Sequence, residues 1–170
     1  MKILLAIDGS EHSARTVDAI GAHPWPPGST VRVLSVVDQV VTATPEVAIF
    51  SGESIEAERE QLVQVANELT TRFANWLCSS GLTAEKRVRT GDPKPVIIDE
   101  AQEWGADLIV VGSHGHTGIK RWLLGSVALS VVSHAPCSVY VVRERQQNQA
   151  SETKESERAL SQASVSGTPS

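Results

Sequence analysis

Asp107-Leu108-Ile109-Val110-Val111-Gly112-Ser113-His114-Gly115 is the stretch on which the fold turns. A short apolar run closed by a glycine-rich turn reads as a buried strand. Going forward, the chain passes through His116-Thr117-Gly118-Ile119-Lys120-Arg121-Trp122-Leu123-Leu124 to Gly125-Ser126. A helix is predicted over 126–134, stopped before Pro136, and then a strand over 137–142. Going backward, Gly105 stops a helix whose start is marked by Asp92 as cap and Pro93 at the first helical position. Ile97, Ala101 and Trp104 form its apolar stripe.

The same alternation runs back to the first residue. Ile3-Leu4-Leu5-Ala6-Ile7 reads as a buried strand ending at Asp8-Gly9-Ser10. Ser10 caps a helix with Ala14, Val17 and Ile20 on one face. His23-Pro24-Trp25-Pro26-Pro27-Gly28 breaks the chain before a strand over 30–37. Residues 39–53 lack a period and read as a long loop. A helix begins near Ser54, and Leu62, Val65, Ala66, Leu69, Phe73, Trp76 and Leu77 are expected to be its core stripe, with Gly81 ending it. A weaker strand covers 83–88. The order is β-α-β-α-β-α-β-α-β, which implies a parallel sheet with helices on both faces and right-handed crossovers. Ligands of such sheets bind beyond the carboxyl ends of the strands, at the switch point.

Composition bounds the function. The 170 residues favour one domain, placed at 1–145, and the polar stretch 146–170 is expected to be a disordered tail. A hydrophobic share of 41% and a charged share of 21% are ordinary for a soluble protein. A net charge of -5 argues against a nucleic-acid partner or a polybasic membrane surface. No apolar run is long enough to cross a bilayer. Met1-Lys2 leads straight into an apolar run too short for a secretory signal, so the cytoplasm is the expected location. Cys78 and Cys137 form no spaced framework and read as two buried, reduced thiols.

The chemistry concentrates after the fourth strand. Glycines there let a backbone approach an anion closely and adopt positive φ where required. Ser126 and the amides of the following helix start can donate to phosphate, with the helix dipole in support. Lys120 and Arg121 add positive charge. On spacing alone, the same stretch reads equally well as a plain glycine-rich turn between strand and helix.

Gly-x-x-Gly, nine residues, then Gly-Ser resembles the nucleotide loop of the universal stress protein family. Further landmarks occur in the family's order: residues 3–10, Leu34-Ser35-Val36-Val37-Asp38, Thr90-Gly91-Asp92-Pro93, residues 106–112 and residues 135–142. The resemblance covers residues 1–143 and points to the ATP-binding branch, because the glycine pattern is whole. It implies that Gly112, Gly115, Gly125 and Ser126 surround the ribose and phosphates, with His114 as a polar loop contact. It implies that Asp8 sits beside the ribose or a phosphate-bound Mg²⁺, although a turn carboxylate is the plainer reading. Val36 would offer its backbone to the adenine edge, while Ala6, Ile7, Val111 and Val127 would line the pocket. The expected fold is an open, five-stranded parallel sheet of order 3-2-1-4-5, Rossmann-like or flavodoxin-like. The strand over Cys137-Ser138-Val139-Tyr140-Val141-Val142 should lie at the sheet edge, and an apolar edge calls for a partner, so a homodimer through it is expected.

Other chemistry finds little support. His114 and His116 lack a matching cysteine or carboxylate pair for a metal. The chain has no Gly-x-Ser-x-Gly elbow, no P-loop and no Cys-x-x-Cys. No convincing general base is visible, so the expectation is an adenine-nucleotide-binding sensor or switch with slow hydrolysis at most. The alternative is a slow ATPase or nucleotidyl-transfer enzyme of the same fold.

Overall fold

The computed structural model describes residues 1–38, 52–113 and 124–143. The expected loop at 39–53 and tail at 146–170 fall almost wholly outside the described residues. The elements are β1 (Lys2–Ile7), α1 (Glu11–Ala22), β2 (Thr30–Val37), α2 (Gly52–Ser79), β3 (Thr83–Thr90), α3 (Pro93–Trp104), β4 (Leu108–Gly112), α4 (Ser126–His134) and β5 (Ser138–Val142). All strands are parallel, in the order β3-β2-β1-β4-β5. The expected architecture and order are therefore present, with β5 at an edge.

Alternation along each strand splits the core in two. Ile3, Leu5 and Ile7 of β1 join Val31, Val33, Leu108 and Val110 on one face. Val17 and Ile20 of α1, and Phe73, Ala74 and Leu77 of α2, close over them. Leu4, Leu34, Ile109 and Val111 face the other way, under Ile97 and Ala101 of α3 and Ala128 and Val131 of α4. Each fully buried aliphatic side chain contributes roughly 1.5–3 kcal/mol. Helix ends follow the sequence: Ser10 Oγ accepts from the Ser13 amide, and Asp92 accepts from the Lys94 amide. Among the described residues no helix is long and apolar enough to cross a membrane.

Three expectations need correction. Leu62 and Val65 are half exposed and Trp76 is 39% exposed, so the core stripe of α2 is narrower and shorter than expected. Leu62 is in phase with Ala66 and Phe73, so the stripe outruns the described partners it packs on. Cys78 is exposed rather than buried: it lies one turn beyond Ala74 at the end of α2, with its Sγ 3.8 Å from the Ala84 carbonyl. Cys137 is partly covered, and burial pushes its thiol pKa up. In α3 the buried residues include Glu100, a position that an apolar-stripe reading skips.

Glu100 is 1% exposed and carries a charge network. Its Oε1 accepts from Arg32 Nη1 at 2.8 Å and its Oε2 from Arg89 Nη1 at 2.8 Å. Arg87 Nε lies 3.5 Å from Oε2. Glu85 pairs with Arg32 at 2.7 Å and Glu103 with Arg89 at 3.0 Å. The Arg32 guanidinium also lies 4.2 Å from the Trp104 ring centre. The cluster ties α3 to β2 and β3. We predict that Glu100→Ala, which leaves guanidiniums facing one another, lowers unfolding stability by about 2–3 kcal/mol. This is less than the loss for a fully buried orphan charge, because Arg32, Arg87 and Arg89 keep 20%, 49% and 28% of their side chains in contact with water. Urea denaturation checks it, and an unchanged midpoint would refute it.

Candidate functional site

Parallel pairing brings the carboxyl ends of the strands to one edge. β1 ends beside β2 with Ile7 opposite Ser35, and β4 ends with Gly112 opposite Val142. β1 and β4 are neighbours, yet their following helices, α1 and α4, leave toward opposite faces. The chain therefore opens a crevice between these two strand ends, the switch point of the sheet.

Asp8 follows β1 directly. Gly9 takes a φ of 79°, a left-handed value that suits glycine and folds Ser10 back on Asp8. Asp8 Oδ1 then accepts from the Ser10 amide at 3.0 Å, the Ser10 hydroxyl at 2.6 Å and the Ser13 hydroxyl at 2.6 Å. The Asp8 amide in turn donates to Ser13 Oγ at 3.0 Å. The turn-carboxylate role is thus present whatever else Asp8 does. Ser13 is buried and was missed by sequence reasoning; the only signal was its place three residues after the capping Ser10.

At the next strand, the β1–β2 ladder ends with Ile7 opposite Ser35. Val36 therefore has no β1 residue in register beside it, while on its other side it pairs with Arg89 of β3. Gly91, just beyond β3, donates its amide to the Val37 carbonyl at 3.0 Å. Its φ is 137°, and a Cβ there would meet Val96 Cγ2 at 3.0 Å, so glycine is required at this rim.

On the other side of the crevice, Ser113 and Gly125 are held together. The Gly125 amide donates to the Ser113 carbonyl at 2.8 Å, and the Ser113 amide donates to the Val142 carbonyl at 2.9 Å. α4 starts at Gly125 with no side-chain cap and no acid in its first turn. α1 and α3, by contrast, are capped by Ser10 and Asp92. Gly125 has φ -59° and ψ 153°, an ordinary extended geometry, so backbone conformation is not what demands glycine there.

The predicted pocket residues divide. Ala6, Val36 and Val127 pack against the core that contains Val111, and so share one side of the sheet. Ile7 sends its side chain into the opposite core and presents only its backbone to the crevice. Gly112, Gly125 and Ser126 stand at the crevice, whereas His114 and Gly115 lie outside the described residues. Among the described residues no cluster of three or more His, Cys, Asp or Glu side chains has metal-ligand geometry.

A five-stranded parallel domain with an uncapped glycine helix start at its switch point defines a Rossmann-like class of α/β protein. The model of the universal stress protein family matches residues 1–143, and the chain belongs to that family. It is 31% identical over 145 residues to universal stress protein YxiE of Bacillus subtilis, covering 84% of this chain and 98% of the relative. The solved hypothetical protein MJ0577 is similar at 27% identity and TM-score 0.74, covering 86% of this chain and 97% of the other. A universal stress protein solved in complex with cAMP shares the fold at 24% identity and TM-score 0.55, covering 84% of this chain and 96% of the other.

We predict that Ser13→Ala, which removes the hydroxyl joining the Asp8 amide and carboxylate, costs about 1–3 kcal/mol of stability. Chemical denaturation without ligand checks this, and a change under about 0.5 kcal/mol, typical of a neutral surface substitution, would refute it.

Proposed function

We propose that this chain binds ATP at the crevice between β1 and β4 and works as a nucleotide-dependent switch. The observation that carries the reading is the uncapped start of α4 at Gly125-Ser126, set at the switch point and closed onto Ser113. Unsatisfied amides at a helix start, with the positive end of the helix dipole, favour phosphate. A glycine there that backbone geometry does not demand fits close approach of a ligand.

In this reading Gly112, Gly115, Gly125 and Ser126 hold ribose and phosphates, with His114 as a polar contact. Val36 meets the adenine edge with its backbone, and Ala6, Val111 and Val127 form the apolar wall. Ile7 contributes backbone. Asp8, its orientation fixed by Ser10 and Ser13, stands where it can ligate Mg²⁺ carried by the phosphates; such an ion keeps most of its ligands as water and phosphate oxygen. The family membership supports a nucleotide ligand, and a fold relative holding cAMP accords with an adenine base. Binding alone is the function assigned, with hydrolysis slow at most.

Isothermal titration tests this. ATP should bind the full chain saturably, and Gly125→Val, whose branched side chain obstructs close approach of the phosphates to the helix start, should weaken it by at least about tenfold. Equal ATP affinity in both proteins would refute the placement. Switching predicts slower amide exchange in the peptide spanning 114–127 when ATP is present; unchanged exchange at saturating ATP would refute it.

The same reading includes a homodimer through β5. This strand is an edge of the sheet, and Tyr140 on it is 41% exposed. Leu129 and Val132 of the neighbouring α4 are exposed by 56% and 49%. Light scattering after gel filtration should give twice the chain mass at micromolar concentration, and a monomer would refute the dimer.

A further inference from the structure

The amino-terminal part of α2 outruns its neighbour α1. Both helices run back from the carboxyl ends of parallel strands, so they lie parallel on one face of the sheet. Trp76 sits against Gly21, where a Cβ would meet its ring carbons at 2.3 and 2.4 Å. Counting back ten residues on each helix, from Gly21 to Glu11 and from Trp76 to Ala66, sets the start of α1 level with Ala66. Leu62 and Val65 therefore stand past the start of α1. This is why they are 49% and 56% exposed in a helix whose following turns bury Ala66, Thr70 and Phe73.

The exposed row has a pattern. Glu58, Val65 and Arg72 recur every seven residues, and Leu62 and Leu69 stand beside them at the three- and four-residue steps of one helix face. Glu58 and Arg72 are exposed, and Leu69 is partly buried. The Arg72 guanidinium lies 5.0 Å from the Phe73 ring centre, which holds its stem along the helix and leaves its charge in water. About Val65 the row is self-complementary, with an acid seven residues before it and a base seven residues after. A two-fold axis through Val65 lays two copies of the row antiparallel. Val65 then meets its own counterpart, and Leu62 of each copy falls beside Leu69 of the other. Glu58 of each faces Arg72 of the other.

We propose that this row is a docking surface for a second copy of the same chain, two α2 helices packing antiparallel about Val65. A parallel arrangement would set Glu58 against Glu58 and Arg72 against Arg72, so charge selects the antiparallel one. The contact spans about 21 Å of helix, from Glu58 to Arg72. An interface of that size falls under about 1,200 Å² in total, among the weak ones, so pairing depends on concentration. α2 packs on β2 and β3, whereas β5 is the opposite edge of the sheet. The surface is therefore separate from the β5 contact, and two isologous contacts on one chain build tetramers or longer assemblies. The inference does not rest on the nucleotide reading.

Sedimentation velocity of the full chain tests this. The average mass should double between about 5 µM and about 500 µM, the range in which weak contacts form. Val65→Glu should abolish the rise and leave the melting curve unchanged, because the position is half exposed. Glu58→Arg and Arg72→Glu should each weaken pairing about tenfold, since two-fold symmetry makes each substitution act twice, and the double variant should restore it. With Cys78 and Cys137 replaced by serine, Val65→Cys should cross-link to itself under mild oxidation, as residues on the axis come within disulfide reach. A mass that does not rise, or that rises equally in Val65→Glu, would overturn the proposal, and so would a double charge reversal that fails to recover pairing. A Val65→Glu protein that is destabilised with its mass unchanged would assign the row to a contact within the chain and overturn the proposal as well. Loss of the β5 contact is read separately: it halves the starting mass and leaves the Val65→Cys cross-link in place.

Discussion

The pairing of β1 with β4 is the constraint on which the rest depends. Ile3, Leu4 and Leu5 lie in register with Leu108, Ile109 and Val110, residues remote in sequence. Their buried side chains supply both cores at once, Ile3, Leu5, Leu108 and Val110 pointing to the α1 and α2 side and Leu4 and Ile109 to the α3 and α4 side. Because α1 and α4 pack on opposite faces, no helix among the described residues covers the space beyond the carboxyl ends of these two strands. The crevice is therefore a consequence of topology before any side chain is chosen. Long-range pairing of this kind also means that the site forms only once the sheet has formed.

Electrostatics sets the position of α3. An apolar residue at position 100 would have satisfied the helix stripe, but this chain buries a carboxylate there and brings Arg32, Arg87 and Arg89 to it. Glu85 and Glu103 balance the remaining charge from more exposed positions, and the Glu103 hydrogen bond holds the Arg89 guanidinium still more firmly protonated. Such a set gains little over hydrophobic packing in energy. It does have direction: a carboxylate shared between guanidiniums on neighbouring strands fits one register and one rotation of the helix.

The crevice is built from preorganised backbone more than from reactive side chains. Asp8 is locked by donors from Ser10 and Ser13, and the Ser113–Gly125 hydrogen bond fixes where α4 begins. Groups held in place before a ligand arrives lose little entropy when it binds. This arrangement suits recognition of a charged, hydrogen-bonding ligand.

Element type and order were legible in the sequence because they rest on local signals: apolar runs closed by Asp8-Gly9-Ser10 and Gly112-Ser113, the caps Ser10 and Asp92, and the stop at Gly105. The glycine spacing before Ser126 likewise marked the candidate crevice, since glycine and helix-start chemistry act within a few residues. What the sequence could not show was which face each side chain meets. Ile7 and Ala6 are neighbours in the chain yet belong to opposite cores, and Leu62 keeps the helical phase of a core residue while staying half exposed. Glu100 and its arginines, and the seating of Trp76 against Gly21, are contacts between distant segments. Charge partners and helix contacts of that kind depend on strand register and helix placement, and only the folded sheet decides those.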